Sequence, residues 1–561
     1  MKSRRHVGDF SFLAALTTTL LASVPVSAQQ ATTDPAVDPA AVDAIFARFN
    51  GTDLPGCAVG VSREGRPVLA AAYGMADLEH DVTNRAETVF EAGSVSKQFT
   101  AAATILLALD GKLSLDDDIR EYIPELPEHD DIVTIRHLLN HTSGLRDWGA
   151  VAGIEGWPRT TRVHTHEHVL DIMSRQRSLN YQPGEYYSYT NTGYNLQAVL
   201  VERVSGMSFA EFSRKRVFEP LGLTRTQWRD DYTRVVEDRA VAYSPAGRGQ
   251  EAGWRMNMPF ENVHGNGGLL TTVADLLRFS QNLETGAVGG PSFLEEMHRQ
   301  AILNSGRQIA YASGLSVGHY RGRREVQHSG ATAGYRAFST RFPDQKVAVA
   351  VLCNAASANP TQLAHRVADL YLGDAVDVDV TAEPTIELSR EAIAARAGAY
   401  RNTRTQALVR VTAGSEGLRF RNAFLLPVSE SRFAADNGVS LDFQDSPGGD
   451  ARAAADLVTP DGDVVRLEPV PEFRPTSAEL AAYAGTYRSD EAEATYTVEL
   501  DGFGLLVKDR YERVRTLAPA YPDVFSGPLG LYIFRRDDTG AVVSFSLSQG
   551  RVWDLRFRRV Q

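Results

Sequence analysis

The chain has 561 residues, a formal charge of −12, 43% hydrophobic and 23% charged side chains. The length exceeds one ordinary core and predicts several domains. The acidic balance, with no basic block to neutralise phosphates, excludes nucleic acid as a partner, and the even composition excludes a low-complexity or fibrous protein.

From the N-terminus, "MKSRRH" supplies positive charge, "FSFLAALTTTLLASVPV" a short apolar run, and "VSA" small residues before a cut after Ala28. Residues 1–28 therefore read as a secretory signal peptide, and the mature protein is expected in the periplasm or secreted. No Cys follows the apolar run, which argues against a lipid anchor, and no later stretch has the length of a membrane-spanning helix. The cysteines, Cys57 and Cys353, lie in the apolar stretches "GCAVGV" and "VAVAVLC". They are expected as buried thiols, with a disulfide the alternative in an exported protein.

After a leader, "PAAVDAIFARFNG" reads as a helix and "GCAVGVSREGRPVLAAAYGMAD" as two strands turning at Glu64-Gly65. The apolar spacing of Phe99, Ala102, Ala103, Leu106 and Leu107 predicts a helix from Ser94 to Asp110, closed by Gly111. Beyond a mixed region, "REVQHSGATAGYRAFSTRFPDQKVAVAVLCN" reads as three successive strands and "TQLAHRVADLYLGD" as a closing helix. Strands at both ends of the segment with helices between predict one α+β domain over residues 29–378, whose sheet is closed before a linker at 379–388. That closure predicts a core able to stand without the C-terminal third of the chain.

The remainder holds an internal repeat. "SREAIAARAGAYRN" (389–402) echoes "TSAELAAYAGTYRS" (476–489), placing Tyr400 and Tyr487 87 residues apart. Alternating runs and turn residues come after each copy. Two small antiparallel β-barrels are predicted, at 389–474 and 475–561.

The chemistry gathers at Ser94. Only six of the 58 basic residues are lysines, and one of them, Lys97, lies three positions after Ser94. Positions i and i+3 share a helical face. A lysine of lowered pKa can take a serine's proton, which an arginine cannot do. Tyr189 and Asn191 in "YTN" offer a proton shuttle and an orienting amide. His328 and Gly330 in "HSG" are placed at the start of a strand, with the glycine leaving room for substrate along its edge.

The order Ser-x-x-Lys, Tyr-x-Asn, His-x-Gly resembles the serine hydrolases of the class C β-lactamase and DD-peptidase family, as do "TIRHLLNHTSGL" and "GNGGLLTTVADLLRF". The layout with two trailing domains is similar to the D-aminopeptidase branch, whose extra domains are lipocalin-like barrels. The resemblance implies a β-lactamase/transpeptidase-like fold, Ser94 as the acylated nucleophile, Lys97 and Tyr189 as its proton-transfer partners and Asn191 as an orienting group. It implies an oxyanion hole from the amides of Ser94 and Ala331, a small-molecule or peptide substrate, and no cofactor. His328 stands where β-lactamases and DD-carboxypeptidases commonly carry a lysine for the substrate carboxylate. That favours aminopeptidase, amidase or esterase action, with β-lactamase or DD-carboxypeptidase action as the alternative. A slowly turning penicillin-binding or sensor protein is the alternative of another class. The sequence leaves self-association open. The D-aminopeptidase layout also implies that a loop of a trailing domain reaches the active-site mouth, and "APAYPDVFSGPLG" (518–530) is the candidate.

No metal site is assigned. His164, His166 and His168 in "VHTHEHVL" read as residues around a helix capped by Thr165, without the spacing of a zinc protease. His137 and His141 read as packing and hydrogen-bonding groups. No Gly-x-Ser-x-Gly surrounds Ser94, which excludes a nucleophile elbow.

Overall fold

A computed structural model describes residues 37–247, 253–373, 384–435, 438–444, 452–460, 462–502 and 504–560. The signal-peptide reading and the first half of the linker fall outside these residues. Among the described residues, no helix is long and apolar enough to cross a membrane.

A six-stranded antiparallel sheet forms the centre of the first part. Its spatial order is Ser316–Tyr320, Arg323–Thr332, Tyr335–Phe342, Val347–Cys353, Cys57–Arg63, Arg66–Tyr73. The strand Val347–Cys353 is buried along its whole length because both faces are covered. Its period-two alternation sorts the side chains. Val347, Val349, Val351 and Cys353 point to the helices Pro39–Phe46 and Pro360–Leu372. Ala348, Ala350 and Leu352 point to the other face, which carries the helix Val273–Thr285 and the larger core. On that face, a Cβ at Gly60 would lie 3.0 Å from Leu277, so the helix packs directly onto the strand backbone.

Cys57 sits directly opposite Cys353 across the antiparallel pair Cys57–Arg63/Val347–Cys353. The two are joined in a disulfide, not the pair of thiols expected. Sequence reading placed each in an apolar strand correctly, but their register depends on a pairing 296 residues apart.

Two closed eight-stranded antiparallel barrels come next in the chain, running from Gly398–Asn402 to Val464–Pro469 and from Gly485–Ser489 to Val552–Arg559. The repeat is visible in atomic detail. Short helices, Arg390–Ala394 and Ser477–Ala481, precede the first strands and are capped by Ser389 and Thr476. The buried Tyr400 hydroxyl donates to the Arg396 carbonyl at 2.7 Å, and Tyr487 to the Tyr483 carbonyl at 2.8 Å. Each tyrosine thus ties the first strand of its barrel to the turn before it.

The barrels differ in what they pack against. The first encloses its own core, built around Tyr400, Phe420, Phe433 and Leu441. The core of the second is continuous with that of the Ser94 region. Tyr496 Oη donates to the Ile154 carbonyl at 2.6 Å across that boundary. The expectation of a first domain closed on itself therefore misses a shared core. The 518–530 segment does not reach the mouth of the site. Tyr521 and Val524 pack with Ala399, Leu408 and Val470, and Tyr521 Oη donates to the Gln406 carbonyl at 2.7 Å.

Candidate active site

Ser94 lies in a single 3₁₀ turn, Gly93–Ser96, and the α-helix proper runs from Lys97 to Leu109. The predicted helix is thus present, but its first turn is tightened. Two glycines explain the geometry. Gly93 has φ +52°, and a Cβ there would lie 2.6 Å from the Ala331 amide nitrogen. A Cβ at Gly330 would lie 2.0 Å from the Ala92 carbonyl oxygen and 3.1 Å from the Ser94 amide nitrogen. The Ser94 turn and the strand Arg323–Thr332 therefore meet backbone to backbone, which brings the amides of Ser94 and Ala331 to one place. The sequence reading reserved the space at Gly330 for substrate. The Ala92 carbonyl fills it instead, and His328 to Gly330 sit in the second half of the strand, not at its start.

Lys97 is fully buried. Its Nζ lies 3.1 Å from Ser94 Oγ, 3.0 Å from Asn191 Oδ1 and 2.7 Å from the Asn266 carbonyl oxygen. Among the described residues, no carboxylate pairs with it. Burial drives its pKa well below the usual lysine value, the nearby Arg551 cation lowers it further, and Asp147 opposes the shift. The two oxygens of Asn191 and Asn266 carry no protons, so each takes an N–H of the amine. A neutral amine held by both has its remaining lone pair directed at Ser94 Oγ.

Tyr189 stands over this group with its ring centroid 4.8 Å from Lys97 Nζ. Its buried hydroxyl has no hydrogen-bond partner. Burial raises its pKa, although the Ser94 hydroxyl is near enough to pull it back. His141 packs on the Tyr189 ring at 4.2 Å between centroids, accepts the Thr190 amide at 3.3 Å and receives the Ser188 amide on its own carbonyl at 2.9 Å. It holds the Tyr189 segment in place, as a packing and hydrogen-bonding residue. His137 does the same locally, capping the helix Ile135–Leu139 together with Thr134.

His328 is buried, and its pKa falls to about 3 through desolvation and the nearby Lys97. Its Nδ1 donates to the Ser329 carbonyl at 2.6 Å, which leaves Nε2 to accept from Tyr311 Oη at 3.0 Å. The imidazole is neutral and both nitrogens are engaged, so it offers no cation to a substrate carboxylate.

Four contributors were missed by sequence reasoning. Asn266 belongs to "GNGG", a stretch that carried the family resemblance without a role for this residue; besides holding Lys97, its Oδ1 accepts from Asn195 Nδ2 at 2.7 Å. Tyr311 fixes His328. Asp147 accepts the Asn191 amide at 2.8 Å. Arg551 comes from the turn between the last two strands of the second barrel, with its guanidinium carbon 5.0 Å from the Tyr189 ring centroid and Nη1 3.7 Å from Asp147 Oδ2. Tyr311, Asp147 and Arg551 have no local motif, because each acts through a long-range contact. A cavity of about 520 Å³ opens beside the Ala331 amide. It is lined by Arg159, Met258, Phe260 and the strand edge Ala331–Ala333.

The β-lactamase family profile matches residues 42–373. The chain belongs to the β-lactamase family of serine hydrolases. It is 28% identical over 491 residues to a D-aminopeptidase of Gluconobacter oxydans, covering 85% of this chain and 89% of that one. It is 30% identical over 326 residues to penicillin-binding protein 4* of Bacillus subtilis, covering 55% of this chain and 68% of that one. Among solved structures, the octameric penicillin-binding protein homologue of Pyrococcus abyssi superposes with a TM-score of 0.52 at 25% identity, over 74% of this chain and 96% of that one.

Proposed function

We propose that the protein is an exported aminopeptidase or amidase that cleaves small peptides or amides of D-amino acids through a Ser94 acyl-enzyme. The observation that carries this reading is the buried Lys97 amine, fixed by two proton-free oxygens and aimed at Ser94. In the proposed sequence Lys97 accepts the Ser94 proton as Oγ attacks the amide carbon. The amides of Ser94 and Ala331 receive the oxyanion, a contribution of about 3 kcal/mol per donor in comparable sites. Tyr189, whose hydroxyl has no other partner, passes the proton to the departing amine. In deacylation the relay reverses: Tyr189 takes a proton from the attacking water as it hands its own to Lys97, which returns it to Ser94 Oγ as the acyl group leaves, and Asn191 orients both Lys97 and the substrate amide.

Substrate class rests on two supports. The similarity to D-aminopeptidases spans the barrels as well as the Ser94 region. The neutral, fully engaged His328 removes the fixed cation that a C-terminal carboxylate would require. Export rests on the N-terminal 28 residues and on the Cys57–Cys353 bond, since disulfides persist in oxidising compartments. Self-association belongs to the same proposal, because the Pyrococcus abyssi homologue is described as octameric; sedimentation velocity reads it directly.

The test is intact-mass labelling with a fluorophosphonate, then turnover of paired D- and L-amino-acid amides, esters and β-lactams. Ser94→Ala should abolish labelling and lower turnover on the order of 10⁴-fold or more, and Lys97→Arg should be nearly as damaging as Lys97→Ala. Labelling that persists without Ser94, or a preference for β-lactams over D-amino-acid amides, would sink the reading.

A further inference from the structure

Three elements converge behind the Lys97 site. His166 opens the helix His166–Ser174, Glu202 lies on the helix Thr192–Ser205, and His264 precedes the loop that carries Asn266. One ligand-type atom from each lies within 4.8 Å of the others. The hydrogen bonds around them fix which atoms are free. His264 Nδ1 lies 2.9 Å from the Asn262 carbonyl oxygen. A carbonyl only accepts, so Nδ1 carries the proton and Nε2 keeps a bare lone pair. His264 is 6% exposed, and that Nε2 has no partner. His166 Nε2 lies 3.0 Å from the His264 carbonyl oxygen, its shorter contact, the other being 3.4 Å to the His264 amide. That backbone therefore engages Nε2 in either tautomer, and Nδ1 is the His166 nitrogen open to a ligand. Glu202 spends Oε1 on the Phe209 amide at 3.1 Å.

A buried, unpartnered imidazole nitrogen is costly unless something occupies it. Two imidazoles, one with its second nitrogen held by the Asn262 carbonyl and the other with its second nitrogen against the His264 backbone, beside a carboxylate, have the arrangement in which outer hydrogen bonds orient metal ligands. We propose that His166, Glu202 and His264 bind one divalent cation of the zinc class, through two nitrogens and one carboxylate oxygen, with solvent as the fourth ligand. Ligands about 2.0 Å from a tetrahedral zinc sit about 3.3 Å apart, so the three side chains close inward on binding. The bound cation cross-links the helix that starts after Asn191 to the segment ending in Asn266, the two acceptors that hold Lys97. It positions the lysine and takes no part in acyl transfer. The second cluster of this kind, Asp77, Glu79 and His80, differs: His80 and Glu79 are exposed, and His80 already pairs with Asp77 at 2.8 Å.

The experiment uses the full chain stripped with EDTA, titrated with Co²⁺ and followed by its visible d–d absorption, with Zn²⁺ as competitor. One equivalent should bind and Zn²⁺ should raise Tm. His166→Ala, a half-buried position, should weaken binding by more than the roughly 10–100-fold that loss of an outer partner costs a metal site. Glu202→Gln, which keeps the bond to Phe209, should also weaken it, and His80→Ala should not. The rate of Ser94 labelling should be several-fold higher in zinc-loaded than in stripped protein, and equal in the two forms of His166→Ala. No saturable binding by folded wild type, binding untouched by His166→Ala, or binding lost in His80→Ala would overturn the site. Equal labelling of loaded and stripped wild type would overturn its positioning role.

Discussion

The two barrels are copies of one sequence unit with the same strand count, the same capped helix and the same tyrosine tether, yet they are bound to the rest of the molecule by different physics. The first meets the Ser94 region through polar contacts of partly exposed groups: Asp463 pairs with Arg307 at 3.0 Å, and Arg404 covers Tyr186. The second shares its core with that region and receives a cation that is almost wholly buried. Arg146, 1% exposed at its side chain, pairs with Glu491 at 3.2 Å and donates to the carbonyls of Trp553 and Asp554. The two barrels share a strand count and a tether, and the difference lies in what the outer surface of each one matches. A barrel's interior dictates its own closure, while its outer turns are free to become part of a neighbour.

Glu491→Ala sharpens this contrast most. It leaves Arg146 buried without its carboxylate, and a stability loss of about 3 kcal/mol is expected in urea unfolding. Asp463→Ala, the matching change at the first barrel, should cost about 1 kcal/mol or less. Equal losses would break the comparison.

Tyr400→Phe and Tyr487→Phe come next, since each deletes one buried hydrogen bond of the same design. Each should cost about 1 kcal/mol, and a large disparity would show that the repeat is conserved in sequence only.

The smallest expected effect concerns Arg551, a barrel side chain placed against Tyr189. Its charge helps keep the Lys97 pKa low, so in Arg551→Gln that pKa should rise. The acidic limb of kcat/KM should then move to higher pH, with a modest loss near neutrality and little change on the alkaline plateau. A pH profile that superimposes on wild type would mean that the second barrel contributes packing alone.

Sequence reading reached the repeat, both barrels and the disposition of the central sheet, and it singled out Ser94, Lys97 and Tyr189, which the fold brings together, because each has a local signature: a spacing, an alternation or a lysine among arginines. It failed where one residue acquires meaning from another far along the chain. Asn266 offers a backbone carbonyl, an atom every residue has. Arg551 is one of 52 arginines, distinguished only by the turn that delivers it. Residues 518–530 carry every compositional mark of an exposed loop, but composition does not say which neighbour the loop faces. The cysteines illustrate the same limit, since two apolar strands were legible and their register was not.

The pairing of Cys57–Arg63 with Val347–Cys353 also orders events in time. A chain synthesised from its N-terminus presents Ser94 early, when the strand that will bring the Ala331 amide does not yet exist. Lys97 at that stage is an ordinary hydrated ammonium, since the segments of Asn191 and Asn266 that bury and hold it come later. The serine therefore stays without its lysine partner in place through most of synthesis. In the proposed mechanism it becomes reactive only when the late strands close the sheet, a built-in delay that spares the chain, and the acyl compounds around it, from premature chemistry.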